Sequence, residues 1–491
     1  MIRILNTLSW TLFCFLALPI LVLCHMIVFV ICWMTVVMIP MAKVAIESLK
    51  LLFNSPLELY VLDSYPGASA QLMLLTYESS NKHYFHFVVG GVNVCLLNLT
   101  PFIAITLLIG YVLPEHMRPS PIITFFTALF AIIPTAYFIG KAISSISAQS
   151  TFAVGAVLNA TFGSIVELIL YGSAIQQGGL DEFVQASLTG ALLTTMLLLP
   201  GLSMIAGGLR YKEQRFNPAA AGVSNVLLII SVIGAFTPTI FYQAWGSYEL
   251  QCTNCIQHNA SLNCTGCSYQ QVDIEDDDAY KHGARPLIYA ISFVLPLAYI
   301  VGLIFTLKTH AYIYEKTEEE KEAEEGEESP EWGKVKCLII LFIATVSFAL
   351  VSEELTSSIQ PALTDLNLTQ TFVGVFFLAL ASNSAEIVNA VSFGLKNNIA
   401  LSIEIGAAAT IQAALIQIPA LVLLTAIMGD KSHVTFIFPS LNLFSVILGV
   451  VVNNYLSING KSNYFEGTAL VLIYTLFILA FYFIPNDASD V

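Results

Sequence analysis

Two glutamates stand alone in long uncharged stretches, where a carboxylate is costly to bury. Glu167 follows the segment VGAVLNATFGSIV, and Glu386 follows VGVFFLALASNSA. A carboxylate in such a stretch usually faces a water-filled cavity or a cation. The alternative is a structural carboxylate paired with a hydroxyl or a backbone amide. The matched surroundings of the two residues favour a cation site with Glu167 and Glu386 as metal ligands.

The two glutamates belong to an internal repeat. Four identical pairs occur at an offset of 219 residues: Val154 with Val373, Gly155 with Gly374, Ala160 with Ala379, and Glu167 with Glu386. Ser164 lies opposite Asn383, and each precedes its glutamate by three positions, so each polar pair shares a helix face. Hard cations prefer such oxygen ligands, and a carboxylate that loses its metal can take up a proton.

The composition defines the elements that must hold these residues. Of 491 residues, 56% are hydrophobic and 11% charged, which excludes a soluble globular protein. We predict an all-α polytopic membrane protein, with the lipid bilayer as its surroundings and an eleven-span core. The predicted spans are 86–113, 121–141, 152–176, 183–209, 219–245, 286–308, 335–353, 370–394, 399–428, 434–456 and 466–484.

An odd number of span steps separates the two repeat copies, so they cross the membrane in opposite directions. Such inverted repeats are typical of secondary transporters, whose substrate site lies at the repeat interface. No span carries a nucleophile with a base or a phosphate-binding loop, which argues against an enzyme.

The core is preceded by an N-terminal extension, residues 1–85, with an apolar run from Leu8 to Pro40. This run is either one tilted span or a tight hairpin broken at Pro19. The predicted organisation is then a first transporter half at 86–309, a linker at 310–334, a second half at 335–485 and a tail at 486–491.

The net charge of −15 arises mainly from an acidic tract at 315–331 and an acidic cluster at 273–278. No basic stripe supports nucleic acid binding. Arg210, Lys212 and Arg215 place the loop after the fourth span in the cytoplasm, and span parity then makes the acidic tract cytosolic. That tract is either a solvated loop or helix, or a low-affinity cation collector.

Four cysteines crowd the polar loop 246–285, which parity places on the lumenal side: Cys252, Cys255, Cys264 and Cys267. The same loop contains two glycosylation sequons, at Asn259 and Asn263, which act only on that side. Paired cysteines there favour two disulfides, with undetermined connectivity. A four-thiolate zinc site is the alternative.

Several motifs, in order, resemble the cation/proton exchanger (CAX) family of the calcium/cation antiporter superfamily, subtype with an N-terminal extension. LNATFGSIVELI resembles LNATFGNATELI, SNSAEI resembles GNAAEH, TIQAALIQIP resembles SIQIALFVIP, and INGKSNYFEGTALV resembles the last-span pattern DGKSNWLEGLALL. The resemblance covers residues 86–485.

The resemblance implies an antiporter that moves Ca²⁺ from the cytosol into a vacuolar, lysosomal or other acidic lumen in exchange for protons, without a cofactor. It implies that the first and sixth core spans slide against the rest. It assigns the cation and proton site to Glu167, Glu386, Asn383, Gln412 and Glu353. From the residues themselves we add Ser164 to this site, with Thr195 and Glu354 as accessory residues.

Departures from the family pattern lie at this site. Ser164 and Thr195 stand where the family has asparagine, Ser144 and Ser145 where it has glutamate, and Ile387 where it has histidine. Histidine titrates near neutral pH, so its absence keeps a monovalent cation/proton antiporter open as an alternative. A membrane scaffold that does not transport is the second alternative. Oligomeric state is left undetermined by the sequence.

Overall fold

The computed structural model describes residues 13–54, 79–81, 84–85, 87–150, 163–252, 255–258, 261–264, 266–274, 276–314, 332–428 and 434–484. The acidic tract, Asn259 and the start of the first repeat copy lie outside these ranges. The chain divides into two compact units, Met1–Pro101 and Phe102–Val491.

The first unit begins with one membrane-spanning helix and continues with a separate amphipathic helix. A π-helical turn at Phe13–Ala17 leads into α1, Leu18–Met34. After a turn at residues 35–38, α2 covers Ile39–Asn54. The apolar run is therefore a single span rather than a hairpin. Pro19 lies in the first turn of α1, where proline is tolerated, and does not break the helix.

Short elements complete the first unit. Strands β1 (Val88–Val89) and β2 (Val92–Asn93) pair antiparallel. Helix α3 covers Val94–Leu97, beginning after the N-cap Asn93, whose side chain accepts from the Cys95 amide at 2.8 Å. Helix α4, Thr100–Leu107, begins at the end of this unit and continues into the second.

The second unit is predominantly helical. Its helices are α5 Pro121–Ala148, α6 Ile165–Gln177, α7 Asp181–Leu193, α8 Leu199–Arg210, α9 Pro218–Trp245, α10 Arg285–Ile304, α11 Lys334–Leu366, α12 Gln370–Phe372, α13 Ala379–Ser382, α14 Ser384–Leu395, α15 Ile399–Gln412, α16 Ile418–Met428, α17 Ser440–Ser457 and α18 Tyr464–Tyr482. π-Helical turns at Thr194–Leu198, Val373–Leu378 and Ala413–Gln417 join α7 to α8, α12 to α13, and α15 to α16.

These helices confirm the predicted membrane architecture. Within the described ranges, ten helices, α1 included, are long and apolar enough to cross a membrane, and one bent pair raises the number to eleven. The predicted third span is represented by α6 alone, because residues 151–162 are outside the described chain.

The core of the unit lies along α7 and α8. Phe183, Leu188 and Leu193 are fully buried there. Gly190 permits a close crossing: a Cβ atom at this position would lie 2.6 Å from the Cα atom of Val375.

The two repeat copies break their helices at equivalent positions. Helix α6 starts at Ile165 and α14 starts at Ser384, which is the 219-residue offset found in the sequence. The π-helical turns at Thr194–Leu198 and Ala413–Gln417 are also 219 residues apart. The backbone thus repeats as the sequence does.

Loops of the second unit gather on two faces. On the first, the Arg210 face (residues 149–150, 211–217, 310–314, 396–398 and 458–463), the Gln214 amide donates to the Gly394 carbonyl at 3.0 Å. Strands β3 (Gln214–Arg215) and β8 (Lys461–Ser462) also pair there. Glu213 accepts from Lys461 at 3.0 Å.

The opposite face, the Cys252 face, comprises residues 113–120, 178–180, 246–279, 367–369 and 434–439. Gln360 donates to the Gly179 carbonyl there at 2.8 Å, and Gln243 donates to the Ser440 hydroxyl at 3.2 Å. Nine of the twelve described lysines and arginines of this unit lie toward the Arg210 face. They are Lys141, Arg210, Lys212, Arg215, Lys308, Lys334, Lys336, Lys396 and Lys461.

The cysteine loop forms a β-ribbon, which the all-α expectation did not include. Strands β4 (Tyr248–Cys252) and β7 (Cys267–Gln271) pair antiparallel, as do β5 (Cys255–His258) and β6 (Ser261–Cys264). Cys252 and Cys267 form a disulfide, so the four-thiolate zinc alternative is wrong. Cys255 and Cys264 face each other in the inner ladder, and their disulfide stays a prediction, as does glycosylation at Asn259 and Asn263.

Candidate functional site

Each repeat glutamate occupies the first turn of a helix that starts at a break. Helix α6 follows Ser164, and α14 follows Asn383, where the chain bends by 58°. Glu167 and Glu386 are therefore both third in their helices. The free N–H groups and positive dipole end of a helix favour negative charge at this position. The breaks let two helix N-termini point into the interior of the unit.

Both glutamates line one cavity of about 330 Å³. Its walls come from α5, α6, α14 and α15 together with the helix breaks, so both repeat copies contribute. The polar residues that line it are Ser144, Glu167, Thr195, Ser382, Asn383, Glu386, Asn389, Glu404, Gln412 and Gln417. The structure thus brings together residues that lie more than 200 positions apart, and both carboxylates line the same cavity.

Several oxygens at this cavity are buried and have no hydrogen-bond partner. They are Glu167 Oε2, Glu386 Oε2 and Gln417 Oε1. Ser164, which follows the wall residue Gly163 in the chain and is not itself part of the wall, also has a buried hydroxyl without a partner. Glu167 is 6% exposed and Ser164 1% exposed. Buried polar atoms without partners are rare and costly in folded proteins. An oxygen-ligated cation would satisfy these atoms.

Neutral ligands stand beside the carboxylates. The Asn383 amide nitrogen donates to the Ala379 carbonyl at 2.8 Å and to Ser382 Oγ at 3.2 Å, so its carbonyl oxygen is the atom suited to a cation. The Gln412 oxygen approaches Gly163, where an added Cβ would lie 3.4 Å from it. The first-repeat break and the second-repeat glutamine therefore meet at the cavity.

The accessory residue Thr195 joins the two repeats. Its hydroxyl lies 2.7 Å from the Thr410 hydroxyl and also donates to the Ala191 carbonyl at 2.8 Å. Thr195 is buried and lines the cavity. Its hydroxyl is committed to these contacts, which indicates a role in joining helices.

Two other expected site residues lie elsewhere. Glu353 and Glu354, on α11, are absent from the cavity wall. Glu353 is exposed and accepts a hydrogen bond from the Tyr111 hydroxyl at 2.8 Å. Glu354 packs over Gly110, whose carbonyl accepts from Arg118 at 2.6 Å. The structure places this pair toward the Cys252 face, apart from Glu167 and Glu386.

Four polar cavity residues were missed by the sequence reasoning: Ser382, Asn389, Glu404 and Gln417. Glu404 is the one acid of the predicted span 399–428, the same signal that pointed to Glu167 and Glu386. Asn389 follows Glu386 by three positions, so helical periodicity puts both on one face. Gln417 is 4% exposed, and only the tertiary structure directs it to the cavity.

The cavity is lined by oxygen atoms of the kind that ligate small cations. Within the described ranges, no three His, Cys, Asp or Glu side chains come together as a metal-binding group. The central negative charge therefore comes from Glu167 and Glu386, and amides and hydroxyls supply the other candidate ligands. Such a site can bind cations and protons in competition, since both neutralise the carboxylates.

Comparison with known proteins agrees with this geometry. The sequence model of the family described as "Sodium/calcium exchanger protein" matches residues 120–308 and 336–483. The low affinity vacuolar monovalent cation/H⁺ antiporter of Saccharomyces cerevisiae is 35% identical over 92% of this chain, although the chain covers only 53% of that relative. The Ca²⁺/H⁺ antiporter of Aphanothece halophytica is 33% identical over 80% of this chain and 97% of its own length.

A solved structure shares the fold. The structure of native YfkE superposes with a TM-score of 0.60 at 28% identity, covering 79% of this chain and all of its own. The motif resemblance to cation/proton exchangers is thereby confirmed.

Proposed function

We infer that this chain, which belongs to the sodium/calcium exchanger protein family, is a secondary-active antiporter that exchanges a metal cation for protons. The observation that carries this proposal is the pair of glutamates at matched helix breaks, each with one buried oxygen lacking a partner. Exchange of this kind needs no cofactor, and it is transport rather than enzymatic catalysis.

The physical basis is the cost of an uncompensated charge. Two carboxylates that repel each other in a buried cavity must be neutralised. Either a cation between them or protons on them achieves this, and the two solutions exclude each other. Opposed binding of this kind, combined with alternating access of the cavity, produces antiport.

Ca²⁺ is the first candidate for the cation. The paired charge of Glu167 and Glu386 matches a divalent ion, and the oxygens of Asn383, Gln412 and Ser164 belong to the ligand class that Ca²⁺ prefers. The relative from Aphanothece halophytica carries the name Ca²⁺/H⁺ antiporter, which supports the same assignment.

Na⁺ or K⁺ is the second candidate, and two observations favour it. Ile387 follows Glu386 where the resembled family has histidine. The relative that is 35% identical over 92% of this chain is named a monovalent cation/H⁺ antiporter.

The proposed location is an acidic endomembrane compartment, with the Arg210 face in the cytosol. The bias of lysine and arginine supports this orientation, and the vacuolar relative supports the compartment. Under this proposal, the ribbon with its Cys252–Cys267 disulfide lies in the lumen, where disulfides persist. Glu353 and Glu354 are proposed to act along the lumenal half of the route rather than in the cavity.

The test is proton flux in sealed proteoliposomes with an acid interior and an internal pH dye. Ca²⁺, Na⁺ or K⁺ is added outside in turn. We expect proton efflux with the transported ion, and loss of that efflux in Glu167→Gln and Glu386→Gln. Asp365→Asn, an exposed acid of α11 outside the cavity, is the matched control and should retain full flux.

The outcomes separate the alternatives. Efflux with Ca²⁺ supports the first candidate, and efflux only with Na⁺ or K⁺ supports the second. A wild-type protein that gives no flux with any of the three would support the scaffold alternative. Normal flux in the double glutamine variant would overturn the assignment of the site.

A further inference from the structure

Glu404 places a third carboxylate at the cavity, away from the central pair. It lies on α15 with Ala408 and Gln412, and these three residues, spaced four apart, all line the cavity. They therefore follow one face of the helix. Eight residues separate Glu404 from Gln412, which corresponds to about 12 Å along the helix axis.

Glu404 is displaced from Gln412 toward the Arg210 face. Helix α15 begins at Ile399, directly after the loop 396–398 of that face. Glu404 is exposed although it stands on a membrane-spanning helix. It therefore lies where the cavity meets water.

Two more polar residues complete this mouth. Asn389 comes one turn after Glu386 on α14, and Ser144 lies near the end of α5. Both are exposed and both line the cavity. The mouth thus presents a carboxylate, an amide and a hydroxyl from three different helices.

The inverted repeat shows what the opposite mouth contains. The 219-residue offset places Gln185 opposite Glu404 and Leu170 opposite Asn389. Gln185 lies one turn into α7, directly after the Cys252-face loop 178–180, and is 7% exposed. Leu170 is fully buried. At both repeat-related positions, the second copy is the more polar one, and only Glu404 is charged.

We propose that Glu404 is an outer cation-binding residue that captures the transported ion at the Arg210-face mouth, and that its neutral counterpart Gln185 leaves the other mouth with weaker capture. This inference rests on the proposed function. A fixed carboxylate at a partly enclosed mouth raises the local cation concentration. It sets the apparent affinity on its own side, while the ion gradients alone set the direction of net exchange.

The test measures the cation concentration for half-maximal proton efflux, K0.5, in sealed vesicles with the Arg210 face outward. Glu404→Gln should raise the external K0.5 and leave the maximal rate unchanged. A unit charge about 12 Å away, in an effective dielectric constant of roughly 20 to 40, corresponds to a roughly three- to tenfold change for a monovalent ion. The factor is squared for a divalent ion. Asp365→Asn should leave K0.5 unchanged.

Moving the carboxylate from α15 to a neighbouring helix should restore cation capture. In Glu404→Gln/Asn389→Asp, the carboxylate returns to the mouth on a different helix, so K0.5 should return toward the wild-type value. If Glu404→Gln does not fold, Asn389→Asp alone must lower K0.5. Gln185→Glu should lower K0.5 for the cation supplied on the Cys252 face, measured with both gradients reversed.

The failures are distinguishable. No flux in the wild type contradicts the proposed function itself. An active wild type with an unchanged K0.5 in Glu404→Gln overturns the outer site alone. Loss of the maximal rate at every cation concentration also overturns it, because Glu404 would then belong to the central pair.

Discussion

At the scale of single residues, the cavity is characterised by polar atoms held without partners. Ser164 illustrates the point, because its hydroxyl is buried and makes no hydrogen bond. Leaving such a group unsatisfied costs folding free energy of about 1–3 kcal/mol. The unpartnered serine therefore lowers stability in the absence of a ligand. The proposed cation would explain why a polar residue stands at this position.

Ser164→Ala separates a ligand from a structural residue. Because the hydroxyl makes no hydrogen bond, the thermal unfolding temperature should stay equal or rise. The K0.5 for the transported cation should rise by roughly two- to tenfold, the contribution of one neutral polar contact. Unfolding scans and proton-flux titrations of the same preparation measure the two effects.

A satisfied buried serine is the matched control. Ser203 is fully buried and donates to the Ala390 carbonyl at 2.8 Å outside the cavity wall. Ser203→Ala should lower the unfolding temperature and leave K0.5 unchanged. Equal K0.5 shifts in both variants would contradict a ligand role for Ser164.

At the scale of elements, one buried carboxylate holds the base of the ribbon on the Cys252 face. Asp277, which is 2% exposed, accepts from the Ser247 amide at 2.8 Å, the Ser247 hydroxyl at 2.9 Å and the Ala279 amide at 2.8 Å. Burial by itself raises the pKa of Asp277, but these hydrogen bonds together hold that pKa below its ordinary value. The acidic cluster of the sequence thus contains a structural residue.

The lowered pKa predicts how the ribbon base responds to acid. A group with a depressed folded-state pKa stabilises the fold above its unfolded pKa of about 3.9 and loses this contribution as the pH falls through the folded value. The hydrogen-exchange protection factor of the Ser247 amide should therefore stay constant from about pH 7 to about pH 5 and fall only below about pH 4. Loss of protection already near about pH 6 would contradict the assignment.

Asp277→Asn should lower that protection roughly tenfold or more at neutral pH, because charge-assisted hydrogen bonds are replaced by weaker ones. Asp276→Asn is the control, since the Asp276 side chain is 84% exposed. It should leave the Ser247 amide unchanged.

At the scale of the second unit as a whole, the exposed part of the described cavity wall lies on one side. Its exposed wall residues Ser144, Asn389 and Glu404 all lie toward the Arg210 face. Toward the Cys252 face, the repeat-related positions Leu170 and Gln185 are buried. The structure therefore corresponds to a state in which the cavity is open toward the Arg210 face.

This state predicts one-sided chemical access. Asn389→Cys in sealed vesicles should react with a membrane-impermeant maleimide supplied on the Arg210 face, and a saturating transported cation should slow the reaction. Mass spectrometry of the labelled peptide measures it. Leu170→Cys, at the repeat-related buried position, should react little from that face. Labelling of Asn389→Cys only from the Cys252 face would contradict the orientation.

Much of the fold and of the candidate site could be predicted from the sequence, because a bilayer restricts which residue types a membrane-spanning segment can contain. Uncharged runs predicted the spans, and isolated acids with a shared offset of 219 residues predicted Glu167, Glu386 and the repeat. The same offset recurs in the helix breaks. Burying charge in lipid is costly, so an isolated acid in such a run is a candidate site residue.

Other features depended on distances that the sequence does not encode. Glu404 on α15 and Gln417 in the π-helical turn after it both line the cavity. Glu353 does not, and instead accepts a hydrogen bond from the Tyr111 hydroxyl. The Cys252–Cys267 pairing follows from the register of the ribbon. Side-chain direction and strand register arise from packing between segments far apart in the chain, so only the tertiary structure could decide them.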